Sequence, residues 1–322
     1  FSSLYASFPL KLLHPRVSSQ DASRPKAVAA LYVVSYGGGL VSGDEVLLDV
    51  DVGQGCALIM LTQGSTKVFR MRSATLGVQR RPNIEQASTL VSNDQHAGSP
   101  HSTRQVMRYL VRPNATLVLL PDPVTCFAGA RYTQVQRFDL RCADTSSLVM
   151  LDWFTPGRRS ELWAFDSYRS RNELRVAGRL FARDVMLLEQ SSLTQLSQGG
   201  QPTRAAAPGL LPLSVRCHPY TTYATLLLVG PDCEQAIHHL KAEFAKIEQG
   251  VLPASKQPDD LIWSLSELHC EPQQSDLEKR SPLRGAIVRV AGTETQTVRA
   301  WLAKHLQSMV DVVGPDLYRQ AL

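Results

Sequence analysis

Four acidic residues stand where a carboxylate has chemical consequences: Asp44 in SYGGGLVSGD, Asp152 in LVMLDWF, Glu161 opening ELWAFDSYRSRNEL, and Asp184 in FARDVMLLEQ. Asp152 follows Val149, Met150 and Leu151, inside an apolar stretch where an unpartnered charge is costly to bury. It therefore needs a partner, a water path or a cation. Two arrangements meet that need. In one, Asp152 pairs with Arg158 or Arg159 across a turn, and Asp184 pairs with a neighbouring arginine. In the other, spaced oxygen ligands line a hydrated route for a divalent ion, each holding it weakly enough to release it.

Other reactive groups form no comparable set. There is no G-x-S-x-G and no cysteine beside a plausible base, so nucleophilic catalysis has no evident machinery. Among eight histidines the close pairs are His238-His239 and Cys217-His218. Neighbours on a helix point about 100° apart, so His238 and His239 read as a solvated helix face; neighbours on a strand point to opposite faces. No H-E-x-x-H or dense ligand cluster appears, which disfavours a tight catalytic metal centre. Gly37 to Gly39 and Gly43 permit positive φ, yet GGGLVSGD fits neither the G-x-x-x-x-G-K-[ST] loop nor the G-x-G-x-x-G fingerprint. TQGSTK holds the parts of a phosphate loop in the wrong order. Both segments read as β turns, the first carrying Asp44.

The elements that must position these groups are mostly strands. Period-two or β-branched runs predict them around 28–34, 45–52, 57–61, 67–72, 77–80, 87–90, 105–110, 115–120, 130–139, 147–152, 161–172 and 173–176, with Gly, Pro, Asn and Asp between them. So many short strands without a long helix argue for a sandwich, barrel or solenoid. Segments 93–104 and 196–208 are polar and aperiodic and read as flexible insertions. Beyond them a strand at 223–229 precedes Cys233, Ile237, Leu240, Phe244 and Ile247, whose spacing predicts an amphipathic helix with Asp232 as its cap. Strands at 261–268 and 285–290 follow, then Thr293-x-x-Gln296 as a capping box for a helix running through Val298 to Val310. The expectation is one domain over 1–322: a β body to about 192, then a β-α-β-β-α portion from about 209.

Composition sets outer bounds. With 322 residues and 43% hydrophobic content the chain can bury a large core. Its 34 basic and 29 acidic residues are interspersed, giving +5 without the Lys/Arg block of a nucleic-acid arm. Six singly scattered cysteines, no charged-then-apolar leader and no run long enough for a membrane span lead us to expect a reduced, cytoplasmic protein.

The combination YGGGLVSGD, strand pair, TQGSTKV resembles the urease accessory protein D family (UreD, also called UreH), in a eukaryotic, fungal-like form. The likeness continues through LLPDPVTCFAGARYTQVQRFDL, LDWFTPGR and ELWAFDSYRSRNEL, and more loosely FARDVMLLEQ, covering about 32–190. The resemblance implies a mainly β, helical-sheet body with two helices in the C-terminal region. It also implies a non-enzymatic chaperone that acts with UreF and the GTPase UreG to deliver nickel to apo-urease. On that reading no cofactor is tightly bound, and Ni²⁺ passes transiently along an internal polar passage lined by Asp44, Thr66, Asp152 and Asp184. SGD replaces the commoner GGD, and Thr66 falls in STK where Ala-Ser-Lys is usual in bacterial sequences. The rivals are a passive assembly factor that carries no metal, and a metal- or nucleotide-dependent enzyme on a β scaffold.

Overall fold

A computed structural model of the chain describes residues 1–16, 26–71, 102–190, 211–248, 260–269 and 284–322. After β1 (Leu10–Leu13), the chain steps back and forth between two sheets. β2 (Ala27–Ser35) lies in the first sheet, β3 (Glu45–Val52) in the second and β4 (Cys56–Thr62) in the first. A short β5 (Thr66–Val68) follows, then β6 (Thr103–Val111) in the second sheet and β7 (Thr116–Leu119) in the first. β8 (Val124–Cys126) leads to β9 (Arg131–Leu140) in the second, β10 (Ser147–Thr155) in the first and β11 (Ser167–Val176) in the second. Corresponding strands of successive turns pair in parallel, β2–β4–β7–β10 in one sheet and β3–β6–β9–β11 in the other. The β body is thus a two-sheet solenoid, and the helical-sheet expectation is met.

Antiparallel strands extend both sheets. β12 (Arg179–Glu189) pairs with β11, while β13 (Thr222–Val229), β14 (Leu261–His269) and β15 (Arg284–Gly292) continue the first sheet in the order β10-β13-β15-β14. Five α-helices are described: α1 (Leu213–Arg216), α2 (Glu234–Glu248), α3 (Thr295–His305), α4 (Val310–Val313) and α5 (Pro315–Ala321). The two longest, α2 and α3, are the pair expected from periodicity.

Burial follows the layering. The first sheet is covered on both faces, so its central strands read as unbroken apolar runs such as ALIML and LLLV. Its odd β10 positions Val149, Leu151 and Trp153 pack with Leu240, Leu302 and Leu306 of the helical layer. Its even positions Leu148 and Met150 face the second sheet. The second sheet has one face in solvent, and β12 alternates accordingly. Gly230 ends β13 at φ +97°, where an added Cβ would sit 2.2 Å from the Ser146 carbonyl oxygen. That position admits glycine alone.

Several local expectations are corrected. The run 161–176 is a 3₁₀ turn (Arg159–Glu161), a loop and one strand, because Pro156 and Gly157 break the extension after β10. The strand expected at 67–72 lasts only from Thr66 to Val68. The insertion expected at 93–104 ends earlier, since Thr103 and Arg104 open β6 in register with β9; its remainder, the strands expected at 77–80 and 87–90, and the insertion at 196–208 lie outside the described residues. No capping box forms: the cap of α3 is Glu294 without a side-chain bond, and Thr293 Oγ1 donates to the Asp260 carbonyl. Asp232 does not serve simply as a cap either, because its carboxylate is held by Lys26 Nζ at 2.5 Å and by Thr116 Oγ1. The last helical stretch breaks after His305 into a 3₁₀ turn and two short helices.

Candidate functional site

Between the two sheets, apolar clusters occupy both ends of the strands and a polar level separates them. On β10, Asp152 lies between Met150 of one cluster and Phe154 of the other. On β9, Gln136 and Gln134 lie between Phe138 and Tyr132; on β11, Asn172 and Ser170 lie between Leu174 and Tyr168. On β13, Thr225 separates Leu227 from Tyr223, and on β12, Asp184 separates Ala182 from Met186. Strand register aligns these residues into rows that run across the strands, along the solenoid axis. One row is Asp152, Thr225, Arg289; facing it are Asp184, Asn172, Gln136 and the parallel row Ser170, Gln134, Gln105. The result is a continuous polar belt through the interior.

Asp152 is the centre of the belt. Its Oδ1 accepts from Gln134 Nε2 at 3.0 Å, and its Oδ2 accepts from Ser170 Oγ at 2.5 Å and Asn172 Nδ2 at 2.8 Å. Burial pushes its carboxyl above the usual aspartate range; the three donors pull it back in part, and the negative charge of Asp184 adds to the rise. The side chain is only half-buried by area because it faces a cavity. That cavity offers about 80 Å³ to the centres of water molecules, and Gln105, Gln134, Gln136, Thr66, Asp122 and Asp152 supply polar groups along it. One water needs about 10–15 Å³ by this measure and two to four polar partners, so the space holds several.

The four expected site residues are placed as follows. Asp152 and Thr66 line the same cavity, brought together because β5 hangs on β8, which pairs with β10. Asp184 lies further along the belt, 13% exposed, with Oδ1 2.6 Å from Arg289 Nη2. Asp44 is in the turn before β3, where Oδ2 accepts the Val41 N–H at 2.8 Å; the cavity lining includes Leu40 of that segment and not Asp44. Glu161 is on the surface, in a 3₁₀ turn. The pairing of Asp152 with Arg158 or Arg159 is not formed: Arg158 lies over the Phe127 ring and Arg159 faces Glu294. Asp184 does pair with an arginine, but one 105 residues away in sequence.

The structure adds residues that motif reading passed over. Asp122 also lines the cavity, accepting from Thr62 Oγ1 and the Gly64 N–H and paired with Arg299 Nη2 at 2.5 Å. The glutamines, Ser170, Asn172 and Thr225 complete the belt. Their signal was present: each is a polar residue on the inward face of a strand whose flanking inward positions are apolar or aromatic, as with TQVQ, SRN and YATLLLV. Among the described residues no three His, Cys, Asp or Glu side chains converge on a point that could hold a metal ion. The belt offers single carboxylates set apart among amides and hydroxyls, a lining suited to brief contacts with a hydrated cation. Among the described residues no helix is long and apolar enough to cross a membrane.

Comparison with known proteins identifies the family. The profile of the family described as UreD urease accessory protein matches residues 1–316. A Cryptococcus neoformans protein, "Urease accessory protein 4", is 36% identical over 331 aligned positions, covering 100% of this chain and 90% of that protein. "Urease accessory protein D" of Oryza sativa subsp. indica is 30% identical, covering 98% of the chain and 89% of its own length. "Urease accessory protein UreD" of Sorangium cellulosum is 33% identical, with 97% and 76% coverage. The profile spans residues 1–316 and these relatives align over nearly the full length, so the chain belongs to the UreD urease accessory protein family.

Proposed function

We propose that this chain serves urease maturation as a non-enzymatic chaperone, and that its interior belt conducts Ni²⁺ toward the apo-urease centre. In this reading it works with UreF and the GTPase UreG, which supplies the nucleotide chemistry, and holds Ni²⁺ only in passing. The role in urease maturation rests on family membership. The observation that carries the conduit is the alignment of Asp152, the amide rows and a cavity with room for several waters on one path across the strands. An ion entering by Asp122 and Thr66 would meet Asp152 next, trading hydration for oxygen contacts one at a time. Arg289 stands on the same row as Asp152 and beside Asp184, so its positive charge opposes a cation there. Asp184 can serve as a ligand only when that pair opens.

A second reading has its own support. All the donors around Asp152 are matched to it, so the belt also works as a polar ladder that fixes the register of stacked turns, with no ion involved. The two readings separate in one experiment. Apo-urease, UreF and UreG are co-expressed without the chain, with the wild type and with Asp152→Asn, and the purified urease is assayed for nickel and urea hydrolysis. The conduit predicts intact assembly with little nickel for the variant. Full activation by the variant leaves a passive assembly factor, and full activation without the chain removes the maturation role.

A further inference from the structure

In the helical layer, away from the belt, two imidazoles from distant parts of the chain meet. His239 of α2 and His305, the last residue of α3, bring Nε2 and Nδ1 within 3.1 Å across 66 residues of sequence. His305 is 5% exposed and packed on Trp301 at 4.4 Å and Trp263 at 6.0 Å between ring centroids, whereas His239 is exposed. Both line an open cleft of about 390 Å³ together with Gln235, Lys304, Ser308 and Asp311. The Ser308 hydroxyl oxygen is buried there without a hydrogen-bond partner.

We propose that this cleft binds a divalent late first-row cation, Ni²⁺, Zn²⁺ or Cu²⁺, through His239 Nε2 and His305 Nδ1, with water and cleft oxygens completing the shell. Nitrogens about 2.0–2.1 Å from one ion lie about 2.9 Å apart at a right angle and about 3.4 Å apart at the tetrahedral angle. The observed 3.1 Å falls between these limits. Ring positions also fit: imidazoles converging on one ion at this spacing have centroids about 4.9 Å apart, against about 5.4 Å for rings joined head to head by a straight hydrogen bond. The 5.1 Å found here needs only a small rotation of the exposed His239.

Charge bears on the same point. Lys304 opposes a cation; Glu243, Asp311 and the carboxyl end of α3 attract one. Imidazole is a preferred ligand of all three metals. With two protein nitrogens and no third strong ligand among the described residues, the site exchanges its ion readily. It does not depend on conduction through the belt.

The test is calorimetric titration of the full chain with Ni²⁺ and Zn²⁺ at neutral pH, for the wild type, His239→Ala, His305→Gln and Asp152→Asn, with X-ray absorption at the metal edge. Thermal melts check that each variant is folded; His239, being exposed, is the substitution least able to disturb the core. The expected result is one equivalent of metal with two imidazole ligands in the wild type and in Asp152→Asn, and at least a tenfold weaker affinity in His239→Ala. Equal affinity in His239→Ala, absence of imidazole ligands, or no binding by the wild type would each overturn the proposal and leave a hydrogen-bonded histidine pair. Because Asp152→Asn tests the belt alone, failure of either site is read separately from the other.

Discussion

Replacing Asp152 by asparagine keeps the shape of the side chain and removes its charge, and the structure sets opposite expectations for stability and for nickel transfer. Hydrogen bonds to a charged acceptor contribute about 1.5–3 kcal/mol and neutral ones about 0.5–1.5 kcal/mol. The amide keeps bonds from two of the three donors at about 1 kcal/mol less each, and turns its NH₂ toward the third, a total loss of about 3–5 kcal/mol. Against this stands the desolvation of a buried carboxylate, itself several kcal/mol. The raised carboxyl pKa of Asp152 means that desolvation outweighs the donors. The net change at neutral pH is therefore small, within about 2 kcal/mol, and leans toward stabilisation.

The sign in pH follows from the same shift. A carboxyl whose folded pKa is raised favours the fold fully below its unfolded value of about 3.9, and that contribution is lost as pH rises through the folded value. Denaturant unfolding of wild type and variant from acid to neutral pH should show the wild type gaining on the variant as pH falls. Nickel content of co-expressed urease should drop at least tenfold. A wild type that gains on the variant as pH rises would refute the account of Asp152, since it would mean that the charged form is the one stabilised.

Three further outcomes follow from other positions. Thr66→Trp fills the cavity end of the belt, so urease nickel content should fall while co-purification with UreF is retained. Gly230→Ala combines φ +97° with a Cβ 2.2 Å from the Ser146 carbonyl oxygen and should cost about 2–4 kcal/mol, read as a lower Tm. Glu173, 4% exposed on the other face of β11, is ringed by Arg171, Arg183 and Arg137 at 2.6, 2.7 and 3.5 Å. Burial raises its pKa, but these arginines outweigh it and the net shift is downward. Its stabilisation is present above the usual glutamate value of about 4.3 and is lost as pH falls through the folded pKa. Glu173→Gln should cost about 1–3 kcal/mol at neutral pH, discounted because Arg183 is 47% exposed, and nothing in acid.

Local pattern carried far in this chain where burial is regular. EVLLDVDV alternates because β3 has one face in solvent, and its bounds were readable to the residue. ALIML and LLLV run unbroken because the first sheet is covered twice. The α2 periodicity was equally plain. Reading failed where tertiary contacts replace local signals: Thr293 resembles a capping residue but is drawn to Asp260, and Asp232 is claimed by Lys26 from 206 residues away. β12 escaped notice because RLFARDVMLLE mixes charge into its outer face and its inner positions are only partly covered.

By itself the sequence determined that this is a mainly β chain, where many of its strands and both long helices lie, and, through its motifs, that it resembles UreD. Each of these depends on residues near one another along the chain. It also marked Asp152 as a charge in need of company. Only the tertiary structure decided what that company is, because parallel pairing brings together residues one solenoid turn apart, and no period in the sequence states the register. Register lines up the polar rows within each sheet, and the packing of one layer on the next sets Asp152 against Gln134, Ser170 and Asn172, closes Asp184 onto Arg289, and brings His239 to His305 across two helices, while Asp44 stays in its turn.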